Sequence, residues 1–339
     1  MAKKTPRRMW KRVAVLLAGF ALAVVVLVYV VVQVDFRRWR RGRHITLQSG
    51  STLVNTDQGA VEYAVLGEGP TLLIMHGGLG GYDQAIQIAG FLKGFRVVAP
   101  SRPGYLRTEL SVGPTYEEQA RAYAALLDSL GIGRVAVFGI SAGGPPALQF
   151  AAQYPDRTWA VVLVSAITKE RILPKLEASA FRRVTDRVFG KDFADWLMAR
   201  AVMLFPERLL LDEGSLLLSA EDREILRQDP EKLQTLRDFV ARGGPWSLRH
   251  EGYINDHMQY ARLGERDPLP ISSPTLVIHG TADTDVDFSH AESVVRRIQG
   301  SEIVTIEGAG HGAFLTHSEE IESLIRQFLH EHAPIASTK

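Results

Sequence analysis

Val135–Ala151 reads VAVFGISAGGPPALQFA, and the reading of this stretch decides the fold. An apolar run without alternation ends at Gly139, as a strand covered on both faces should. A lone Ser141 then stands among small residues, and Pro145 and Pro146 follow. Gly139, Ser141 and Gly143 match G-x-S-x-G, a pattern that belongs where a strand turns sharply into a helix. Glycines two residues to either side remove Cβ atoms that would clash in so tight a turn. The prolines are tolerable only near a helix start, where backbone donors are unpaired in any case. Ser141 is therefore expected at the carboxyl end of a central strand, beside the N–H groups and positive dipole end of the next helix. A plain N-cap serine is the other reading; the preceding strand and the two glycines favour a nucleophile.

The flanking sequence repeats the strand signal. From Leu47 the chain alternates short β-branched runs with helical stretches. TLVNTDQGAVEYAVLGEG predicts a hairpin turning near Asp57–Gly59. TLLIMHG (Thr71–Gly77), FRVVAP (Phe95–Pro100), WAVVLVS (Trp159–Ser165), PTLVIHG (Pro274–Gly280) and EIVTIEG (Glu302–Gly308) are further apolar strands. Helices are expected over Tyr116–Leu130, Phe288–Ile298 and Ser318–Leu329. Such alternation implies an α/β fold: a mostly parallel central sheet with right-handed crossovers and helices on both faces. Thr168–Asp267 breaks the rhythm, being rich in Leu, Arg, Phe and Met with no strand pattern. It reads as a helical cap inserted at 168–267, between core segments 47–167 and 268–332, with a tail at 333–339.

A nucleophilic serine needs a base, and the base needs an orienting acid. In this type of fold the chain order is Ser, then Asp or Glu, then His. Of ten histidines, His311 lies in the Gly-rich EGAGHGAF just past the last strand. Loops at the carboxyl ends of strands are where such sheets assemble their sites. His317 is the second choice, at the start of a helix; His250, His257, His290, His330 and His332 read as cap or helix residues. For the acid, HGTADTDVD offers Asp283, nearest the strand end, then Asp285, then Asp287. Any of the three could instead cap the following helix. An oxyanion also needs donors. MHGGLGG (Met75–Gly81) can aim a backbone N–H, that of Gly78, and the N–H of Ala142 after the nucleophile would be the second. His76 is read as a brace for that loop. Neither phosphate-loop pattern, G-x-x-x-x-G-K-[ST] or G-x-G-x-x-G, occurs.

HGGLGG, SRPGY (Ser101–Tyr105), GISAGG, HGTADTDVD and GAGHG occur in the order and places of the α/β-hydrolase superfamily, which the chain resembles from about Thr52 to Leu329. The resemblance implies a Ser141–His311–Asp283 triad with Gly78 and Ala142 as oxyanion donors, and no cofactor or metal. A serine nucleophile separates the chain from haloalkane dehalogenases and epoxide hydrolases, which use Asp there. HGGLGG resembles the HGGPGG of proline iminopeptidases, but SRPG stands where those enzymes have an acidic DQRG. The HGGG of hormone-sensitive-lipase-like esterases is absent. An apolar anchor ahead of such a domain looks like membrane-bound monoacylglycerol lipases.

That anchor is Val13–Val34, VAVLLAGFALAVVVLVYVVVQV, in which Gln33 is the one strongly polar residue. It is long enough to cross a hydrocarbon core of ~30 Å at ~1.5 Å per residue. A signal peptide would have a shorter apolar core and a small-residue cleavage site, whereas this run ends in VQVDFRRW. A basic flank (1–12) precedes the span and a basic juxtamembrane linker (35–46) follows it, six Lys and Arg against five. This small asymmetry points the N-terminus inward and the catalytic domain out of the cytoplasm. A formal net charge of +1 gives no argument for a nucleic-acid partner, and the absence of Cys excludes disulfides, thiolate metal sites and a Cys nucleophile. The chain thus reads as a single-pass, membrane-anchored ester hydrolase acting on a small-molecule, apolar or lipid-like ester. A carbon–carbon bond hydrolase, an amidase, an iminopeptidase or a non-catalytic receptor of the same fold are the alternatives. Trp196, Met203, Phe205 and Trp246, with Met198, Tyr253 and Met258, are candidates for an apolar acyl pocket unless they pack cap helices together. No oligomeric state follows from the sequence.

Overall fold

The computed structural model describes residues 6–171, 180–213, 217–264 and 269–334. Lys3 and Lys4 of the basic flank, the last five residues of the tail and the expected cap boundary at 267–268 lie outside the described residues. In chain order the elements are α1 (Pro6–Ser49), β1 (Thr52–Thr56), β2 (Gly59–Leu66), β3 (Thr71–Met75), α2 (Tyr82–Ala89), β4 (Arg96–Pro100), α3 (Tyr116–Ser129), β5 (Val135–Ile140), α4 (Gly144–Gln153) and β6 (Thr158–Val164). There follow α5 (Ala180–Phe189), α6 (Phe193–Leu204), α7 (Pro206–Leu210), α8 (Ala220–Gln228), α9 (Pro230–Ala241) and α10 (His250–Tyr260). The sheet resumes with β7 (Thr275–Gly280), α11 (Ser289–Arg297), β8 (Glu302–Ile306), the short α12 (Ala313–Thr316) and α13 (Ser318–His332).

The eight strands form one sheet in the order β1-β2-β4-β3-β5-β6-β7-β8. The β1–β2 hairpin and the β2–β4 pair are antiparallel, and every pair from β4 onward is parallel. This is the α/β-hydrolase fold. The unalternating strands have the expected cause. In β5, Ala136 and Phe138 enter one core while Val135 and Val137 enter the other, on the opposite face. β3 and β6 divide their side chains the same way. Each fully buried aliphatic or aromatic side chain contributes about 1.5–3 kcal/mol of transfer free energy. Helix α3 opens on a capping box, Thr115 with Glu118, and α4 carries its two prolines in the first turn.

Between β6 and β7 every described element is a helix, and α6–α9 build a core of their own around Val202, Leu210, Leu226 and Leu236. The largest departure from expectation is at the N-terminus. The helix does not end at Val34, where the apolar run ends; residues 35–46, expected as a linker, continue α1 to Ser49. Its 44 residues span about 66 Å at ~1.5 Å per residue, twice a hydrocarbon core. The second half is held by contact. Phe36 is buried against Phe193 and Trp196, Arg40 pairs with Asp192 at 2.9 Å, and the Arg43 guanidinium donates to the Arg242 carbonyl at 2.7 Å. The first half, Met9 to Val31, is exposed and long and apolar enough to cross a membrane.

Candidate active site

Loops at the carboxyl ends of β3, β5, β7 and β8 converge on one point. Ser141 follows β5 directly, with φ of +50°, a left-handed conformation that costs an L-residue roughly 1–3 kcal/mol and persists only where packing over-determines it. The packing here is backbone on backbone. A Cβ on Gly143 would collide with the Met75 carbonyl, and one on Gly139 would stand 2.7 Å from the Gly143 carbonyl oxygen. The two glycines of G-x-S-x-G are therefore space requirements, and they let β3 and the elbow close on each other.

His311 Nε2 lies 3.0 Å from Ser141 Oγ, and its Nδ1 lies 2.8 Å from Asp283 Oδ2. A carboxylate only accepts, so Nδ1 carries the proton and Nε2 is left to accept from the serine hydroxyl. Asp283 is buried and fixed from behind: its Oδ1 accepts the N–H groups of Asp285 (3.0 Å) and Val286 (2.8 Å). Burial alone would raise its pKa. Hydrogen bonds from His279 and His311 outweigh that and hold the carboxyl well below the usual carboxylate range.

The three aspartates of HGTADTDVD take three tasks. Asp287 accepts from the Ser289 N–H at 3.0 Å in the turn that enters α11, whose N-cap is Phe288. Asp285 pairs with Arg171 at 2.7 Å, and its other oxygen stands 3.6 Å from His311 Nε2. The histidines separate as clearly. His317 faces Thr316 (3.0 Å) and Asp222 (3.7 Å). His290 accepts the Thr168 N–H at 3.1 Å and is kept neutral, its pKa lowered to about 4 by burial and by the charge of Lys169.

The Gly-rich loop after β3 lies against the elbow. A Cβ on Gly77 would sit 3.4 Å from Ser141 Cβ, and one on Gly78 3.9 Å from Ala142 Cβ. His76 is fully buried; its Nε2 accepts the Arg102 N–H at 3.0 Å, so Nδ1 donates to the Gly77 carbonyl at 2.8 Å. Burial and the Arg102 charge push its pKa well below normal, which keeps it a neutral brace. Gln84 accepts the Gly77 N–H at 2.7 Å, and buried Arg249 reaches from the inserted helices to the Gly80 carbonyl and to Asp83 (2.8 Å).

The inserted residues expected to line an acyl pocket divide. Trp196 is taken up by α1: its indole N–H donates to Asp35 at 2.9 Å and its ring packs on Phe36. Met203 and Phe205 are 45% and 59% exposed and belong to the outer surface. Met198 and Met258 are also about half exposed. Trp246 does approach the site, with its ring 5.5 Å from that of Tyr253, and the Tyr253 ring lies 3.4 Å from the Cβ position of Gly78.

Two buried contacts that hold the loops were not foreseen from the sequence. Arg102 and Asp256 form a fully buried bidentate pair (2.7 and 2.6 Å), with the Tyr105 hydroxyl donating to the same carboxylate at 2.6 Å. It ties α10 to the SRPGY loop across 154 residues of chain. Buried Asp222, on α8, accepts the N–H of Gly310 at 2.7 Å and the Thr316 hydroxyl at 2.6 Å, and so pins the loop that carries His311. No local spacing announces either contact. Asp256→Ala should lower stability by about 3–5 kcal/mol by stranding the buried guanidinium. The double variant Arg102→Met/Asp256→Leu should recover most of that loss. Urea unfolding in detergent followed by tryptophan fluorescence checks both; a single variant as stable as the parent would show that the pair has no structural weight.

Comparison with known proteins agrees with this architecture. A family model described as alpha/beta hydrolase fold matches residues 70–318. The uncharacterized hydrolase YcgS of Bacillus subtilis is 31% identical over 283 residues, 81% of this chain and 97% of that one. A 2-hydroxy-6-oxo-6-phenylhexa-2,4-dienoate hydrolase of Burkholderia cepacia is 28% identical over 78% of this chain and 88% of its own length. Among solved structures, an alpha/beta hydrolase fold protein from Nakamurella multipartita superposes with a TM-score of 0.71 at 32% identity, covering 82% of this chain and 98% of that one.

Proposed function

The chain belongs to the α/β-hydrolase family and is a hydrolase of that fold, and from that premise we propose that it cleaves a carboxylic ester through an acyl-enzyme on Ser141. The unbroken hydrogen-bond chain Ser141 Oγ–His311–Asp283 carries this reading. His311 Nε2 takes the hydroxyl proton as Oγ bonds to the ester carbonyl carbon. The carbonyl oxygen becomes an oxyanion, held by the N–H groups of Gly78 and Ala142. Collapse of the tetrahedral species breaks the bond to the alcohol, and His311 returns the proton to that leaving oxygen. Water then repeats the sequence: Nε2 takes its proton, the acyl–Oγ bond breaks, and the serine regains its hydrogen. Asp283 holds the tautomer and stabilises the imidazolium in both halves.

In this reading the helices α5–α10 form the cap over Ser141, and residues 13–34 anchor the chain in a membrane with the catalytic domain outside the cytoplasm. The anchor supports an apolar or lipid-like ester, and Trp246 beside Tyr253 is the best-placed aromatic wall. The similarity to the Burkholderia dienoate hydrolase favours a second reading, hydrolysis of a carbon–carbon bond beside a ketone on the same serine.

The test uses the full chain in detergent. A fluorophosphonate should add to the peptide that contains Ser141, and p-nitrophenyl esters should turn over while a 2-hydroxy-6-oxo-dienoate does not. Preference for the dienoate would install the second reading. Faster turnover of p-nitroanilides would point to an amidase or iminopeptidase. An unlabelled Ser141 with no turnover of any of these would overturn the serine mechanism.

A further inference from the structure

Helix α6 runs back along α1. Arg40 of α1 meets Asp192 just before α6, Phe36 meets Phe193 and Trp196, and Asp35 meets Trp196 and Arg200. As numbers fall along α1 toward the apolar stretch, they rise along α6, so the two helices are antiparallel. At ~1.5 Å per residue, the five residues from Arg200 to Phe205 advance by up to about 7.5 Å, to the level of α1 near Val30. The end of α5 reaches the same level, with the Phe189 ring 5.9 Å from that of Tyr29.

Toward that level the inserted helices expose large apolar side chains: Val188 (53%), with Val184 (61%) one turn before it on α5, and Met203 (45%), Leu204 (71%) and Phe205 (59%) at the end of α6. Scattered apolar residues are ordinary on a surface, but two groups brought to one level beside an exposed apolar helix mark an interaction site. Exposed arginines follow the apolar stretch, Arg37, Arg38 and Arg41 farther along α1 and Arg187 and Arg208 on the inserted helices, where long basic side chains can reach lipid phosphates.

We propose that this face of α5, α6 and the α6–α7 junction is seated in the lipid interface of the membrane that α1 crosses, so that the cap meets its substrate at the bilayer surface. The proposal rests on the membrane-spanning reading of α1. Lipid is the occupant because the patch continues the exposed surface of α1, and the ion pairs at Asp35 and Arg40 fix its depth. It also accounts for the outward Met203 and Phe205.

The chain has no cysteine, so single cysteines can be labelled cleanly. Leu204→Cys, Val25→Cys in the span and Glu117→Cys on α3 would each carry a nitrobenzoxadiazole fluorophore on the full chain in phosphatidylcholine–phosphatidylglycerol vesicles. Spin-labelled lipid should quench the probes at 204 and 25, and aqueous iodide should quench only the probe at 117. Lipid quenching at 25 with iodide quenching at 204 equal to that at 117 would overturn the seating of the cap and leave the anchor intact. Iodide quenching at 25 would overturn the anchor and the proposal together. The measurement needs no substrate and is independent of the ester reading.

Discussion

Ser141→Ala is expected to lower kcat for ester hydrolysis about 10⁶-fold, the scale at which loss of a triad serine acts in other hydrolases. That factor corresponds to roughly 8 kcal/mol of transition-state stabilisation at ~1.36 kcal/mol per tenfold. In the proposed mechanism the loss is large because Ser141 Oγ is the atom that bonds to substrate. Without Oγ, His311 Nε2 has no nucleophile to deprotonate, and the remaining rate comes from oxyanion stabilisation and binding alone. The fold should survive. Ser141 already occupies a left-handed conformation, an alanine has the same Cβ, and neighbouring Gly139 and Gly143 stay glycine. Steady-state hydrolysis of a p-nitrophenyl ester, with the helical circular-dichroism signal as the control for folding, measures the effect. A drop below a hundredfold with the signal unchanged would remove Ser141 from the chemistry.

Asp283→Asn should cost about 10⁴-fold in kcat. The asparagine Oδ1 can still accept the Asp285 and Val286 N–H groups, so the turn keeps its shape. What changes is the group facing His311 Nδ1. An amide donates where the carboxylate accepted, which favours the tautomer with the proton on Nε2, the atom that must accept from Ser141. Asp283 is ionised throughout the neutral range because hydrogen bonds outweigh burial. A carboxyl depressed in this way contributes stability above its unfolded pKa and loses it only as pH falls through the folded value. The activity deficit of the asparagine variant should therefore persist across neutral and mildly acidic pH. Asp285→Asn is the comparison. Its carboxylate stands 3.6 Å from Nε2 and is engaged by Arg171, so the change should cost less than about tenfold. If the two variants exchange magnitudes in a kcat measurement, the acid is Asp285.

Strands and elbow were legible locally because their determinants are local. The apolar runs at Thr71, Val135, Trp159 and Thr275 each report burial on two faces, and Gly139 and Gly143 report a space requirement within five residues of chain. Order in the chain brought Asp283 and His311 forward as candidates, since each directly follows a strand of a parallel sheet. The structure places both within hydrogen-bonding distance of the next member of the chain.

Contacts between residues far apart in the chain were beyond such reading. Composition marked Val13–Val34 as an apolar span but could not show that residues 35–46 continue the helix, because the aromatic residues that stabilise them, Phe193 and Trp196, arrive from the inserted helices. The same contact engages Trp196, while Met203 and Phe205 remain exposed. Arg102 finds Asp256, and the loop of His311 finds Asp222, only through the packing of α10 and α8 on the core. The sequence by itself determined the sheet, the elbow and the order of the candidate triad residues, since hydrophobic period and glycine spacing act over a few residues. Tertiary structure decided which inserted side chains face the site, α1 or the outside, because that depends on how helices pack, and a helical stripe does not name its partner.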